Sequence, residues 1–162
     1  MRGPLHALQR MIHGIAARCV LRLVNDGLMM QAVQVGLLAD ETADEVERVQ
    51  NYGMTSVPLP GAEGVCLFLG GDRAHGVIIA MDDRRYRLKG LEGGEVALYT
   101  AEGDSIVLKR GHEIHVTTDT WRNSGVIISE GDVIAGGVSL MHHTHSGVEP
   151  GGGSTSQPNG GA

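Results

Sequence analysis

The sequence predicts an all-β protein, in which a small OB-fold-type barrel precedes narrow strands that wind together from several chains. Three observations predict this class. Of the 162 residues, 25 are glycine and only 3% are aromatic, a composition typical of turns and extended chain rather than long helices. Short apolar or alternating runs recur between turn residues from residue 15 onward. The later runs lack the bulky side chains that would fill a core within one chain.

The net charge and the hydropathy of the sequence limit which binding partners and which cellular compartment are expected. The formal net charge is −6, so a phosphate backbone would be repelled, and we expect no nucleic-acid partner. No apolar stretch approaches the roughly 20 residues of a membrane span. Arg10, His13 and Arg18 interrupt the apolar part of the N-terminus, which argues against a signal peptide. We therefore expect the chain to be made and assembled in the cytoplasm.

Residues 1–14 are predicted to contain a short amphipathic helix, Pro4 to His13. Proline suits the first position of a helix, and Gly14 ends this one. The apolar residues recur at helical spacing: Leu5, Leu8, Met11 and Ile12.

Residues 15–84 are predicted to form the OB-fold domain. Five runs indicate strands: CVLRLVND, LMMQAVQVGLL, SVPLP, GVCLFLGG and HGVIIAMDD. Asn25-Asp26-Gly27 indicates a hairpin turn between the first two, and the acidic DETADEVERVQNYG is predicted to be a loop with a helical turn. Cys19 and Cys66 lie in apolar runs, which favours buried core thiols in a reduced compartment over a disulfide.

Residues 85–140 are predicted to form an intertwined β-helix. The strand-like runs RLKGLEGGEVALYT, GDSIVLKRG, EIHVTTDT and GVIISEGDVIAGGVSL are divided by glycine-led turns. Residues 85–140 contain one tryptophan and no phenylalanine. Such strands bury their apolar faces only when several chains wind together, so a folded monomer of this segment is not expected.

The run from Met141 to His145 contains the candidate metal ligands. On a strand, His143 and His145 point to one face, and His142 points to the other. Two imidazoles from each of three chains give six nitrogens, an octahedral shell that suits iron(II) better than tetrahedral zinc. The alternative is a solvated histidine-rich run that leads into a flexible Gly/Ser/Pro-rich tail.

Other motifs do not indicate catalysis. His112-Glu113-Ile114-His115 lacks the spacing of a zinc protease helix, and its histidines would lie on opposite faces of a strand. No serine or cysteine has a recognisable nucleophile context. We therefore expect no enzyme.

Three stretches together resemble a known family: NYGMTSVPLPGAEGVCLFLGGDRAHGVIIAMDDRRYR, GLEGGEVALYTAEGDSIVLKRG and GDVIAGGVSLMHHTHSGVEPGGGSTSQP. The chain resembles the baseplate spike proteins of contractile-tailed phages, of the phage Mu type. It is similar, more distantly, to the phage P2 spike, the baseplate assembly protein V family and the tip proteins of type VI secretion.

The resemblance implies a homotrimer with an OB-fold domain, a triple-stranded β-helix shaft over 85–140 and a small metal-binding apex over 141–162. It implies that His143 and His145 of each subunit hold one Fe²⁺ on the threefold axis. Some relatives also carry calcium and chloride on the axis, for which no ligands are assigned in this chain. The glycine-rich tail would fold back to build the apex.

The function implied is that of the central spike of a phage tail baseplate, which pierces the host outer membrane. Its location would be the tip of the virion tail, and its partners the tail hub and other baseplate proteins. The role of residues 1–14 is left open, and docking to the tail hub is one hypothesis. Two alternatives stay open: a small metalloenzyme that uses the same histidines, and the spike of a tailocin or secretion-type contractile machine.

Overall fold

The computed structural model describes residues 15–37, 41–147 and 151–152. The helix predicted over 1–14 and most of the glycine-rich tail lie outside these residues. The chain divides into two compact units between Asp119 and Thr120. The regular structure of the described residues is ten β-strands and one 3-10 turn, Leu69–Gly71, so the predicted all-β class is confirmed.

The first five strands form a closed barrel in the order β1-β2-β3-β5-β4. Neighbouring strands are antiparallel except β3 and β5, which pair in parallel. Five strands in one barrel is the number that an OB-fold contains. The strands are β1 Ala16–Asn25, β2 Gln31–Gly36, β3 Thr42–Arg48, β4 Glu63–Phe68 and β5 Gly76–Asp82.

Alternating inward positions of the barrel strands supply the core, as period-2 patterning requires. The buried apolar residues are Cys19, Leu21, Val33, Val35, Val46, Ala62, Cys66, Phe68 and Ile78. Both cysteines are free and buried, as predicted. Burial in this apolar interior raises the pKa of the Cys19 thiol to about 11.

The predicted turn after β1 is confirmed, with a longer loop. Asn25 ends β1, and its side-chain Oδ1 accepts a hydrogen bond from the Gly27 N–H at 3.1 Å. This is the local bond by which Asn favours turns. β2 begins at Gln31 and pairs antiparallel with β1.

The acidic segment after β2 is a strand, so the prediction of a loop with a helical turn was wrong. Thr42–Arg48 is β3, which pairs with both β2 and β5. Its register slips between the pairs Val35↔Ala43 and Val33↔Val46, and Glu45 has a positive φ of 52°. A bulge therefore places the inward residues Ala43 and Val46 three apart, which hides the alternation of a strand.

The segment SVPLP is a loop, so its prediction as a strand was also wrong. Its prolines cannot donate to a sheet ladder. Side chains of the barrel hold it instead: the Ser56 carbonyl accepts from Gln31 Nε2 at 3.1 Å and from the Arg48 guanidinium at 2.8 Å. Gln31, the one buried polar residue among those described, is thereby satisfied.

Beyond the barrel the strands are shorter than predicted. β6 Val96–Tyr99, β7 Ser105–Lys109 and β8 Glu113–Thr117 form an antiparallel sheet in that order. Residues 87–95 and 125–133, which lay within predicted strands, contain none. Only β9 Ile134–Ala135 and β10 Val138–Ser139 form a further hairpin, around two glycines with positive φ. Their lack of Cβ atoms permits this tight turn.

The turn before β6 is fastened to β7 by one carboxylate. The Glu95 side chain is only 1% exposed and lies 2.6 Å from the Lys109 ammonium. Glu95 also accepts a hydrogen bond from the Glu92 N–H at 3.0 Å. The bond from Lys109 holds the pKa of Glu95 below its usual range.

Among the described residues, no helix is long and apolar enough to cross a membrane.

Candidate metal centre

The β9–β10 hairpin leads directly into the histidine run. Ser139 ends β10, and the Leu140 N–H donates to the Val133 carbonyl at 2.8 Å, which extends the pairing by one bond. The chain then turns rather than continuing as a strand. The predicted strand conformation at His143 and His145 was therefore wrong.

His143 is anchored to the carbonyl of Ser139 by two atoms. Its backbone N–H lies 3.2 Å from that oxygen, and its ring Nδ1 lies 2.8 Å from it. A carbonyl oxygen can only accept, so Nδ1 must carry the proton in this contact. The lone pair of the neutral ring is then on Nε2, which becomes the nitrogen that can bind a metal ion.

The turn brings the two predicted ligands together. The ring centroids of His143 and His145 are 5.1 Å apart, and the planes meet at 82°. His142 is held differently, since its backbone N–H donates to the Ser139 hydroxyl at 2.8 Å. The pairing of His143 with His145, predicted from i and i+2 positions on a strand, thus arises from a turn.

The donor set of one chain is incomplete for a transition metal. Within the described ranges, no group of three or more His, Cys, Asp or Glu side chains could hold an ion. Two imidazoles leave half of a tetrahedral shell, or two thirds of an octahedral shell, open. The residues therefore fit a metal ion only where several chains each contribute the same pair.

A carboxylate that the sequence did not single out fastens this turn. Asp132 Oδ1 accepts from the Met141 N–H at 3.0 Å. The nearby Ser139 hydroxyl and this backbone bond hold the pKa of Asp132 below its usual range. In the sequence, Gly131-Asp132 indicates only a turn, because its link to the histidines depends on hairpin register.

The remaining histidine motif has a local partner. The ring Nε2 of His115 lies 2.7 Å from the carboxylate of Glu113, two residues earlier on β8. His112 precedes that strand and has a positive φ of 65°. No shared site forms between these two histidines in the described structure.

The β6–β8 sheet carries a second feature of functional interest. Pairing aligns three residues in each of two rows, Val96–Leu108–Ile114 and Leu98–Ile106–Val116, on one face of the sheet. Hereafter this set of six is the aliphatic face. Its side chains are 37% to 65% exposed. Among the described residues after β5, no apolar residue is buried, so this part of the chain has no core of its own.

Comparisons with known proteins match two parts of the chain. Residues 18–85 match the family model described as Bacteriophage Mu Gp45, N-terminal, and residues 137–159 match the GpV Apex motif. The baseplate puncturing device gp45 of Escherichia phage Mu is 45% identical over 116 residues, 72% of this chain and 59% of that protein. The Mu-like prophage FluMu protein gp45 of Haemophilus influenzae is 40% identical over 106 residues, 65% of this chain and 58% of that protein. The chain therefore spans less than two thirds of the length of either relative.

Proposed function

This chain belongs to the phage Mu gp45 family, and on that premise we propose that it is the central spike of a contractile phage tail baseplate. Its location is then the virion tail. Its task is to pierce the outer membrane of the host cell when the tail contracts. Its partners are two further copies of itself, the tail hub and other baseplate proteins.

The aliphatic face is the observation that carries this proposal. Six aliphatic side chains on one face of a three-stranded sheet remain largely exposed in the isolated chain. Exposed apolar patches of this kind mark interaction sites. We assign the face to contacts between copies in a homotrimer, because no apolar residue after β5 is buried in the part of the chain that the structure describes.

In a trimer, the other two chains supply the metal ligands that the histidine pair of one chain lacks. Three copies of His143 and His145 supply six imidazole nitrogens, and a bound Fe²⁺ would link the three chains at one point after β10. The contacts on Ser139 support this role, since they leave Nε2 of His143 free to bind. No ligands for calcium or chloride are assigned among the residues that the structure describes.

The mechanism is mechanical rather than chemical. A spike must transmit force along its axis without unfolding, and the weakest place in an assembly of paired strands is where the chain ends fray. Burial of apolar faces between chains resists separation along the 85–140 segment. A metal bridge at residues 143–145 resists fraying at the end. In this proposal, the OB-fold domain over 15–84 binds the baseplate.

Two quantities measured on one sample test the proposal. Sedimentation equilibrium gives the number of chains per particle, and elemental analysis of protein purified without added metal gives the iron content. We expect three chains and about one iron per particle. A trimer that contains no iron would contradict the proposed metal centre but would still support the proposed spike. One metal per folded monomer would contradict the spike and favour the metalloenzyme alternative.

A further inference from the structure

The contacts around Ser139 connect a carboxylate to a predicted metal ligand. Ser139 uses its hydroxyl and its carbonyl in different directions. The hydroxyl accepts the His142 N–H at 2.8 Å. The carbonyl accepts both the backbone N–H and the ring Nδ1 of His143. The Leu140 carbonyl also lies 3.1 Å from Nδ1, and the N–H of the same peptide, that of Met141, donates to Asp132.

We propose that Asp132 is a positioning residue for the metal centre, which keeps His143 in the form with Nδ1 protonated and Nε2 free. This inference rests on the proposed function, because it assigns a role within that same site. Asp132 does not touch either imidazole. It acts through the Met141 N–H, which it binds at 3.0 Å.

Two backbone contacts connect the carboxylate to the ring. Asp132 accepts the N–H of the Leu140–Met141 peptide, and the carbonyl of that same peptide lies 3.1 Å from His143 Nδ1. The Ser139 hydroxyl accepts the His142 N–H, which fixes the backbone immediately before His143. With the backbone fixed, the turn from Ser139 to His143 holds its carbonyl 2.8 Å from Nδ1. Metal-binding histidines depend on an acceptor of this kind to set ring orientation and tautomer.

A second consequence concerns His145. Its ring meets the His143 ring nearly at right angles, with centroids 5.1 Å apart. A change in the His143 ring angle therefore changes the distance between the two nitrogens that would share one ion. Loss of Asp132 should accordingly weaken binding by both histidines, although it contacts neither.

Asp132→Ala is the test, with Glu130→Ala as its matched control. Both variants remove one carboxylate from the same segment, so both change the local charge equally, but only Asp132 binds the 139–141 turn. Each protein is loaded with iron(II), and a coloured chelator reports the rate of iron loss. We expect about 10- to 100-fold faster release from Asp132→Ala. Glu130→Ala should stay within about twofold of the wild type.

A measurement on metal-free protein distinguishes a specific effect of Asp132 on the His143 ring from a general loss of order in the turn. Nitrogen-15 chemical shifts of the imidazoles in metal-free protein report which ring nitrogen carries the proton. We expect the wild-type His143 to be protonated at Nδ1 and Asp132→Ala to show a mixture of tautomers. Ser139→Ala removes the hydroxyl but keeps the carbonyl, so it should lie between the two.

The outcomes are distinct. Equal iron release from the two carboxylate variants would overturn the positioning role, as would an unchanged His143 tautomer in Asp132→Ala. If the wild type binds no iron, the metal centre itself fails. The tautomer comparison then still decides whether Asp132 orients His143. Should Asp132→Ala not assemble, Asp132→Asn keeps an acceptor oxygen for the Met141 N–H and should show a smaller shift in the same direction.

Discussion

Replacing Ile114 by lysine tests whether the aliphatic face is buried between copies of the chain. Ile114 lies on the edge strand β8 and is 65% exposed in the isolated chain. Within one chain, a lysine there meets water and has little effect. Between chains, it would place a charge among aliphatic side chains. The effect of this substitution therefore depends almost entirely on whether a partner covers the face.

The size of the effect follows from the exposed fraction. Full burial of an isoleucine stabilises by about 2 kcal/mol, so burial of the remaining two thirds contributes about 1.3 kcal/mol per chain. Three chains give about 4 kcal/mol, equivalent to roughly a thousandfold in the dissociation constant of a trimer. Any cost of burying an unpaired ammonium adds to this estimate.

Sedimentation equilibrium over a range of protein concentrations measures the change. His115→Lys is the control, because the next residue on β8 points to the opposite face of the sheet. We expect the control to remain trimeric at concentrations where Ile114→Lys dissociates. Equal association of the two variants would refute the assignment of the aliphatic face to the trimer contact.

Three further predictions concern the barrel and the sheet. Phe68→Ala should destabilise the barrel by about 3–5 kcal/mol in denaturant unfolding, because the ring is only 1% exposed; a loss below about 1 kcal/mol would contradict its place in the core. Cys19, with a pKa of about 11, should not react with a thiol reagent at pH 8 until the protein is unfolded, and rapid labelling of folded protein would show the thiol to be accessible. The folded-state pKa of Glu95 is depressed by Lys109, so its stabilisation is present above the unfolded pKa of about 4.3 and is lost as the pH falls through the folded pKa. Glu95→Gln should therefore show a smaller fall in melting temperature between about pH 5 and 3 than the wild type, and identical pH profiles would exclude that contribution.

The barrel was predictable from the sequence where strands alternate regularly and was missed where they do not. β1, β2, β4 and β5 coincide with apolar runs bounded by turn residues. β3 does not, because the bulge near Glu45 separates its inward residues by three positions, a spacing that a helix also has. The SVPLP run has the apolar character of a strand, but its hydrogen bonds go to side chains of the barrel.

The histidine pair shows a different limit of prediction from sequence. The types and spacing of His143 and His145 indicate a metal site, and the structure brings the rings together. The turn that does so depends on Asp132, seven residues before Ser139, across a hairpin of four paired residues. Spacing along the sequence predicts neighbours within one element, whereas this contact is set by the register of two strands. The ligand role of both histidines stays a prediction.

The outer strands of the β6–β8 sheet have a consequence for how the protein is made. Within the described residues, β6 and β8 each pair on one side only, so a row of backbone amides and carbonyls is left open on either side. An open strand edge binds any extended chain, correct or not, and natural proteins guard such edges. For newly made copies, orderly assembly therefore competes with aggregation through these open edges. Assembly of the proposed trimer would depend steeply on concentration, since it requires three chains, whereas a stray pairing requires two. For such a trimer, the yield should therefore depend on how quickly sister chains meet after synthesis.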